Sequence, residues 1–329
     1  GRGIHTISLE AIETIEAAYA ATQSVETAFA NGELITADDV AEQHGGQHDE
    51  DLGCKGRCMQ FQGDMVASNQ SQLVQFQAVA SRRLQGGRNW AGIQWTNAYV
   101  PYCFASDIPA NIRSLFELAT QQIKRAVPCF TFENVAWESG SSTDAAANQR
   151  CARSPAIFVM SDPSQGCYSY VGMVASWPSQ QLQLHNPGCA GLGTVIHELG
   201  HAIGMAHEHE RPDRDEYVAI NWANIQPAYH SAFEKNGLGY AEIKYDYESV
   251  MHYSPFAFAV DYSTPTIRRV SGGHDGIGQR SGLSAYDVTQ LETMYQETNA
   301  ACSANALHGT GCANLPDDGG SDICSWVTS

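Results

Sequence analysis

Residues 197–207 read His197-Glu198-Leu199-Gly200-His201-Ala202-Ile203-Gly204-Met205-Ala206-His207, inside an apolar stretch from Gly193 to Ala206 that predicts a helix. At about 100° per residue, side chains four apart leave nearly the same face, one turn apart. His197 and His201 can therefore reach a single ion. Glu198 follows the first ligand and can address water beside the metal instead of the metal itself. Gly204 then permits a left-handed turn that a β-carbon would penalise. That turn brings His207 back as a third nitrogen ligand. Three protein ligands leave one tetrahedral position open, which marks a reactive zinc site and not a structural one. A bare HExxH arises by chance; the added Gly and His at fixed spacing remove that objection.

Further along, Ser249-Val250-Met251-His252-Tyr253 forms a second block, and Ile277-Gly-Gln-Arg280 with Leu283-Ser-Ala-Tyr-Asp287 and Leu291 to Tyr295 forms a third. With the charged run Glu208-His209-Glu210-Arg211-Pro212-Asp213-Arg214-Asp215, these blocks resemble the astacin family of metallopeptidases, within the metzincin group. The resemblance spans roughly residues 95–302. It implies a zinc metalloendopeptidase with one Zn2+ on His197, His201 and His207, Glu198 as general base and Tyr253 as oxyanion partner. Met251 becomes the floor of the Met-turn, a role suited to a soft side chain that packs without competing for zinc. Glu208 becomes the partner of the mature amino terminus. Cys167-Tyr168-Ser169-Tyr170-Val171-Gly172 resembles the family's edge strand, against which an extended substrate lies, so Tyr168 is a candidate substrate contact. The family's disulfides map onto Cys129–Cys302 and Cys167–Cys189. The remaining cysteines are additions, with Cys103–Cys151, Cys312–Cys324 and Cys54–Cys58 as the expected pairs. Two departures stand out: Gly200 within the motif helix and Pro212 within the charged run.

The implied fold is α+β, a metzincin-like pair of subdomains. A twisted, mostly antiparallel five-stranded sheet and two long helices lie above a cleft, with an irregular lower half after Gly204. The local pattern agrees in outline. Ala98 to Phe104, Ala156 to Met160 and one or two segments in Tyr168 to Leu184 read as strands, and Ser114 to Val127 as a helix.

The front of the chain has another texture. Leu9, Ile12, Ile15, Tyr19, Val25 and Phe29 recur at helical spacing between Ser8 and Ala30, and Asn31-Gly32 supplies a stop. His44 and His48 sit in a polar, acidic loop. Phe61-Gln62-Gly63-Asp64 resembles the FxGD motif of astacin propeptides, whose aspartate occupies the zinc's open position and keeps the enzyme latent. Carboxylate oxygen is a competent zinc ligand, and Gly63 lets the backbone pass close to the metal. Cys54 or Cys58 offers a rival thiolate unless the two pair with each other. A Gln/Ser-rich run ends at Arg82-Arg83, where an activating protease is expected to cut near Arg83. The expected organisation is thus an inhibitory, partly helical prosegment at 1–83, a catalytic domain at 84–302 and a short disulfide-stapled tail at 303–329.

Composition narrows the class. A formal charge of −18 over 329 residues argues against nucleic acid, whose phosphates it would repel. No apolar run is long enough for a membrane anchor. Ten cysteines without a zinc-ribbon arrangement fit a disulfide framework and a secreted protein. The chain opens Gly1-Arg2-Gly3 without a charged-then-apolar leader, so any leader is expected to have been removed or to lie outside this sequence. The expected partners are protein or peptide substrates, and the chain is expected to be a monomer. The alternative is a catalytically silent zinc-bearing binding protein.

Overall fold

Alternating Val100, Tyr102 and Phe104 on one strand, and Ile112, Phe116, Ala119 and Ile123 on the helix after it, are all buried and share one core. That pairing sets the architecture of the upper half. The computed structural model describes residues 59–61, 64–67, 94–139, 149–175, 177–235, 243–296 and 299–302. The expected helix at 8–30, His44, His48, Cys54, Cys58, Gly63, Arg82, Arg83, Cys312 and Cys324 lie outside the described residues.

The strands are β1 (Met59–Phe61), β2 (Met65–Ala67), β3 (Tyr99–Phe104), β4 (Thr131–Asn134), β5 (Trp137–Ser139), β6 (Gln149–Cys151), β7 (Ile157–Met160), β8 (Cys167–Tyr170), β9 (Gln180–Leu184), β10 (Val218–Ile220) and β11 (Ile267–Arg269). The helices are α1 (Ala110–Ala126), α2 (Leu192–Ala202) and α3 (Ala285–Tyr295), with several short 3-10 turns between them. The main sheet has seven strands in the order β1-β2-β8-β9-β7-β3-β4.

Two expectations are corrected here. The five strands β3, β4, β7, β8 and β9 are mostly parallel: β3 pairs parallel with β4 and β7, β7 with β9, and only β8 runs antiparallel to β9. The physical reason lies in the connections. β3 and β4 are joined by α1, and a helical crossover returns the chain in the same direction. The second correction concerns the sheet's edge. β2 adds parallel to β8, with Met65 opposite Ser169 and Val66 opposite Tyr170, and β1 folds back antiparallel on β2. β8 is therefore not an edge strand; residues of the expected prosegment cover it.

The upper core fills the space between this sheet and α1 and α2, with Val195, Ile196, Leu199 and Ala202 contributed by α2. Every residue from Val195 to Ala202 on α2 is buried, so this helix runs through the molecule instead of along its surface. Its buried carboxyl end needs partners for its last carbonyls. Trp95 Nε1 donates to Ala202 O at 2.8 Å and Tyr295 OH to Ile203 O at 2.9 Å. A second core below the helix gathers Val218, Ile225, Phe233, Tyr245, Tyr253, Phe258 and Ile267. Disulfides link Cys103 to Cys151, Cys129 to Cys302 and Cys167 to Cys189. Among the described residues, no helix is long and apolar enough to cross a membrane.

Candidate metal centre

The sequence pattern carries the motif helix to Ala206, but α2 ends four residues earlier, at Ala202. Ile203 caps it, and Gly204 adopts φ +104°, a left-handed conformation that L side chains rarely hold. The chain reverses there, so His207 returns toward the face carrying His197 and His201.

The three imidazoles converge. His201 Nε2 and His207 Nε2 stand 3.2 Å apart, and Asp64 Oδ1 lies 2.9 Å from His207 Nε2 and 3.6 Å from His201 Nε2. Asp64 Oδ2 lies 3.2 Å from His197 Nε2. A tetrahedral zinc with bonds of about 2.0–2.1 Å would separate its ligand atoms by roughly 3.3 Å. The separations around Asp64 and the histidines bracket that edge length.

The other ring nitrogens fix the tautomers. His197 Nδ1 donates to Val250 O at 2.8 Å, His201 Nδ1 to Met205 O at 2.9 Å, and His207 Nδ1 to Glu210 Oε1 at 3.0 Å. A carbonyl or carboxylate oxygen only accepts, so each Nδ1 carries the proton and each Nε2 presents a lone pair. Three lone pairs and a carboxylate pointing at one another, all buried, call for a cation. The acids draw positive charge to this spot: burial lowers the basicity of His207, yet Asp64 and Glu210 outweigh it and push its pKa up to about 10. Burial likewise works against ionised Asp64, while His207 and the other imidazoles hold its pKa well below the usual carboxylate range. The donor set, three imidazoles plus one carboxylate, suits zinc.

Glu198 is 1% exposed, its Oε2 has no hydrogen-bond partner, and burial together with Asp64 raises its pKa well above the ordinary value. Tyr253 is buried beside the cluster, its ring 4.6 Å from that of His207 and stacked 4.0 Å from His209. Met251 lies beneath α2. A Cβ on Gly200 would stand 2.7 Å from Met251 Sδ and 3.5 Å from Met205 Sδ, so the glycine leaves room for the thioether. Glu208 Oε1 accepts from Arg211 at 2.9 Å and from the Asp246 N–H at 2.8 Å. The acid expected to meet a new amino terminus is already paired. Tyr168 is buried, with its hydroxyl 2.9 Å from Gln165 Oε1 and 3.1 Å from Gln181 Oε1.

Sequence reasoning missed two acids. Glu210 reads there only as part of the charged run, although a position three residues after His207 places it to meet that ring. Asp287 reads only as part of the third block. Here it forms a capping box with Ser284 at the start of α3 and accepts from Ser249 Oγ at 2.6 Å and Val250 N at 2.9 Å. The capping box was legible as Ser284-x-x-Asp287.

The fold gathers three histidines and Asp64 into a buried cluster that could hold a metal ion, with the unpartnered Glu198 carboxyl buried as well. Residues 88–296 match the peptidase family described as Astacin, and the chain belongs to that family. It is 34% identical over 206 residues to "Zinc metalloproteinase nas-13" of Caenorhabditis elegans, covering 62% of this chain and 41% of that protein. It is 41% identical over 130 residues to "High choriolytic enzyme 1" of Oryzias latipes, covering 40% of this chain and 47% of that protein. The chain thus spans less than half the length of these curated relatives. The solved structure of High choriolytic enzyme 1, a hatching enzyme zinc-protease from Oryzias latipes (Medaka fish), superposes with a TM-score of 0.52. It is 32% identical, covering 62% of this chain and 92% of that one.

Proposed function

We propose that this chain is a secreted zinc endopeptidase in latent form, with Asp64 as the blocking ligand. One observation carries the reading: the Asp64 carboxylate lies among the Nε2 atoms of His197, His201 and His207, at 3.2, 3.6 and 2.9 Å. The backbone supports it, since Ser169 N donates to Asp64 O at 3.0 Å and β2 continues along β8, where an extended substrate would add. Three disulfides among the described residues suit an oxidising compartment.

His197, His201 and His207 would hold the ion, which supplies a polarising charge for the scissile carbonyl and acidifies water. Glu198, buried and with an unpartnered oxygen, takes the proton of the attacking water and delivers it to the leaving amine. Tyr253 donates its hydroxyl to the developing oxyanion. The substrates are proteins or peptides. Removal of residues 1–83 by an activating protease near Arg83 withdraws Asp64 and uncovers β8, leaving 84–302 as the catalytic domain and 303–329 as its tail. After the cut, the new amino terminus competes with Arg211 for Glu208, and Tyr168 lies on the strand that receives substrate.

The test uses the full chain and a quenched peptide mixture. Asp64→Ala should cleave peptides before any processing, and Glu198→Gln on that background should keep zinc while losing nearly all turnover. A silent Asp64→Ala chain that wakes on Cys58→Ala would transfer the blocking role to a thiol. A processed wild-type chain that binds zinc without cleaving peptides would favour the binding-protein alternative.

A further inference from the structure

Of the three imidazoles, His197 and His201 direct Nδ1 to backbone carbonyls, of Val250 and Met205. His207 alone directs it to a carboxylate, Glu210 Oε1 at 3.0 Å. Glu210 is 0% exposed. Burying a carboxylate is unfavourable unless charge and hydrogen bonds compensate, so an acid at this depth implies a compelling partner. The local backbone builds the contact. Residues 208–210 form a 3-10 turn directly after His207, with the Glu210 N–H on His207 O, and this turn folds the side chain back onto its own ligand histidine. The nearby Arg214 directs its guanidinium to His209 O, Phe233 O and Asp215.

We propose that Glu210 is a positioning residue of the metal centre: its carboxylate holds the Nδ1 proton of His207, fixes the tautomer that presents Nε2 to the ion, and strengthens that one ligand electrostatically. The inference rests on the zinc reading above. A carboxylate behind a ligand imidazole makes the ring a stronger donor than a carbonyl does, because it stabilises positive charge on the ring as the ion draws electron density from Nε2. The centre is therefore unsymmetrical, with His207 its strongest nitrogen. Glu210 also ties the third ligand to the 3-10 turn, so the ring's orientation no longer depends on the Gly204 reversal alone.

The experiment is zinc affinity of the full chain, read by competition with a chromophoric chelator, for wild type, Glu210→Ala and Glu210→Gln. Loss of such an outer partner typically weakens metal binding roughly 10–100-fold. Glu210→Ala should show that loss, and Glu210→Gln, which keeps an acceptor but not the charge, should fall between. Thermal unfolding with and without zinc separates this from plain packing. The proposal requires the zinc-dependent rise in Tm to shrink in both variants, more so in Ala. Wild-type zinc affinity in both variants, or equal Tm losses in loaded and metal-free protein, would overturn it. A wild-type chain that binds no zinc would instead sink the metal reading itself.

Discussion

Asp287 accepts the Val250 N–H at 2.9 Å, so the first turn of α3 clamps the residue whose carbonyl holds His197. The same carboxylate accepts from Ser249 Oγ and Ser284 N, at 2.6 and 2.9 Å. The block around Met251 and the closing helix thus act as one support for His197, although Val250 and Asp287 are 37 residues apart in sequence.

Replacing Asp287 with Ala strands these buried donors. Each unsatisfied group costs about 1–3 kcal/mol, so the variant should lose several kcal/mol in denaturant unfolding. The loss depends on pH. Burial raises the Asp287 pKa to about 6, against the donors that lower it. A carboxyl whose folded pKa is raised stabilises most when protonated, and that contribution fades as pH climbs from its unfolded value through about 6. The gap between wild type and Asp287→Ala should therefore be widest near pH 4 and narrower at pH 7. A gap that widens with pH contradicts the burial argument.

Gly200→Ala tests the space beneath the motif helix. On an exposed helix the change would stabilise by about 1 kcal/mol. Here the added methyl would meet Met251 Sδ at 2.7 Å. Chemical unfolding should show no gain, or a small loss, as Met251 is displaced. The full propensity gain would mean that the thioether is not held there.

Arg211 pairs with both Glu208 and Asp213, at 2.9 and 2.8 Å, and is 2% exposed. Arg211→Ala takes the cation from the buried Glu208, whose pKa burial already raises to about 8, and removing one partner of a buried pair typically costs about 3–5 kcal/mol. Arg211→Lys should recover only part of it, because an ammonium cannot reproduce the forked geometry. Equal stability of Lys and Arg at this position, measured by thermal unfolding, would count against the fork.

Chelation should lower Tm. The folded chain gathers ligands from α2, the segment after Gly204 and Asp64, and an unfolded chain does not, so zinc stabilises by mass action. Restoring equimolar zinc should restore Tm. A chelator that leaves Tm unchanged would show that the imidazoles hold no ion.

The convergence of His197, His201 and His207 was legible because a helix converts a spacing of four into a shared face, and Gly204 is a residue-level signal for the reversal that returns His207. Strand direction was not legible. Residues such as Val159 and Leu182 declare burial, and burial on both faces is what parallel strands show, but no side chain names its neighbour. The β3–α1–β4 crossover was the available clue to direction. Glu210 was hidden for a different reason. A charge in a charged run reads as solvated surface, and only the 3-10 turn after His207 turns it inward.

The central claim is that one zinc ion is held by His197, His201 and His207 and capped by Asp64. Anomalous diffraction from crystals of the full chain, recorded at the zinc edge, tests it most directly. The prediction is a single peak about 2.0–2.1 Å from the three Nε2 atoms and one Asp64 oxygen. A peak elsewhere, or one at the histidines with Asp64 turned away, would contradict it.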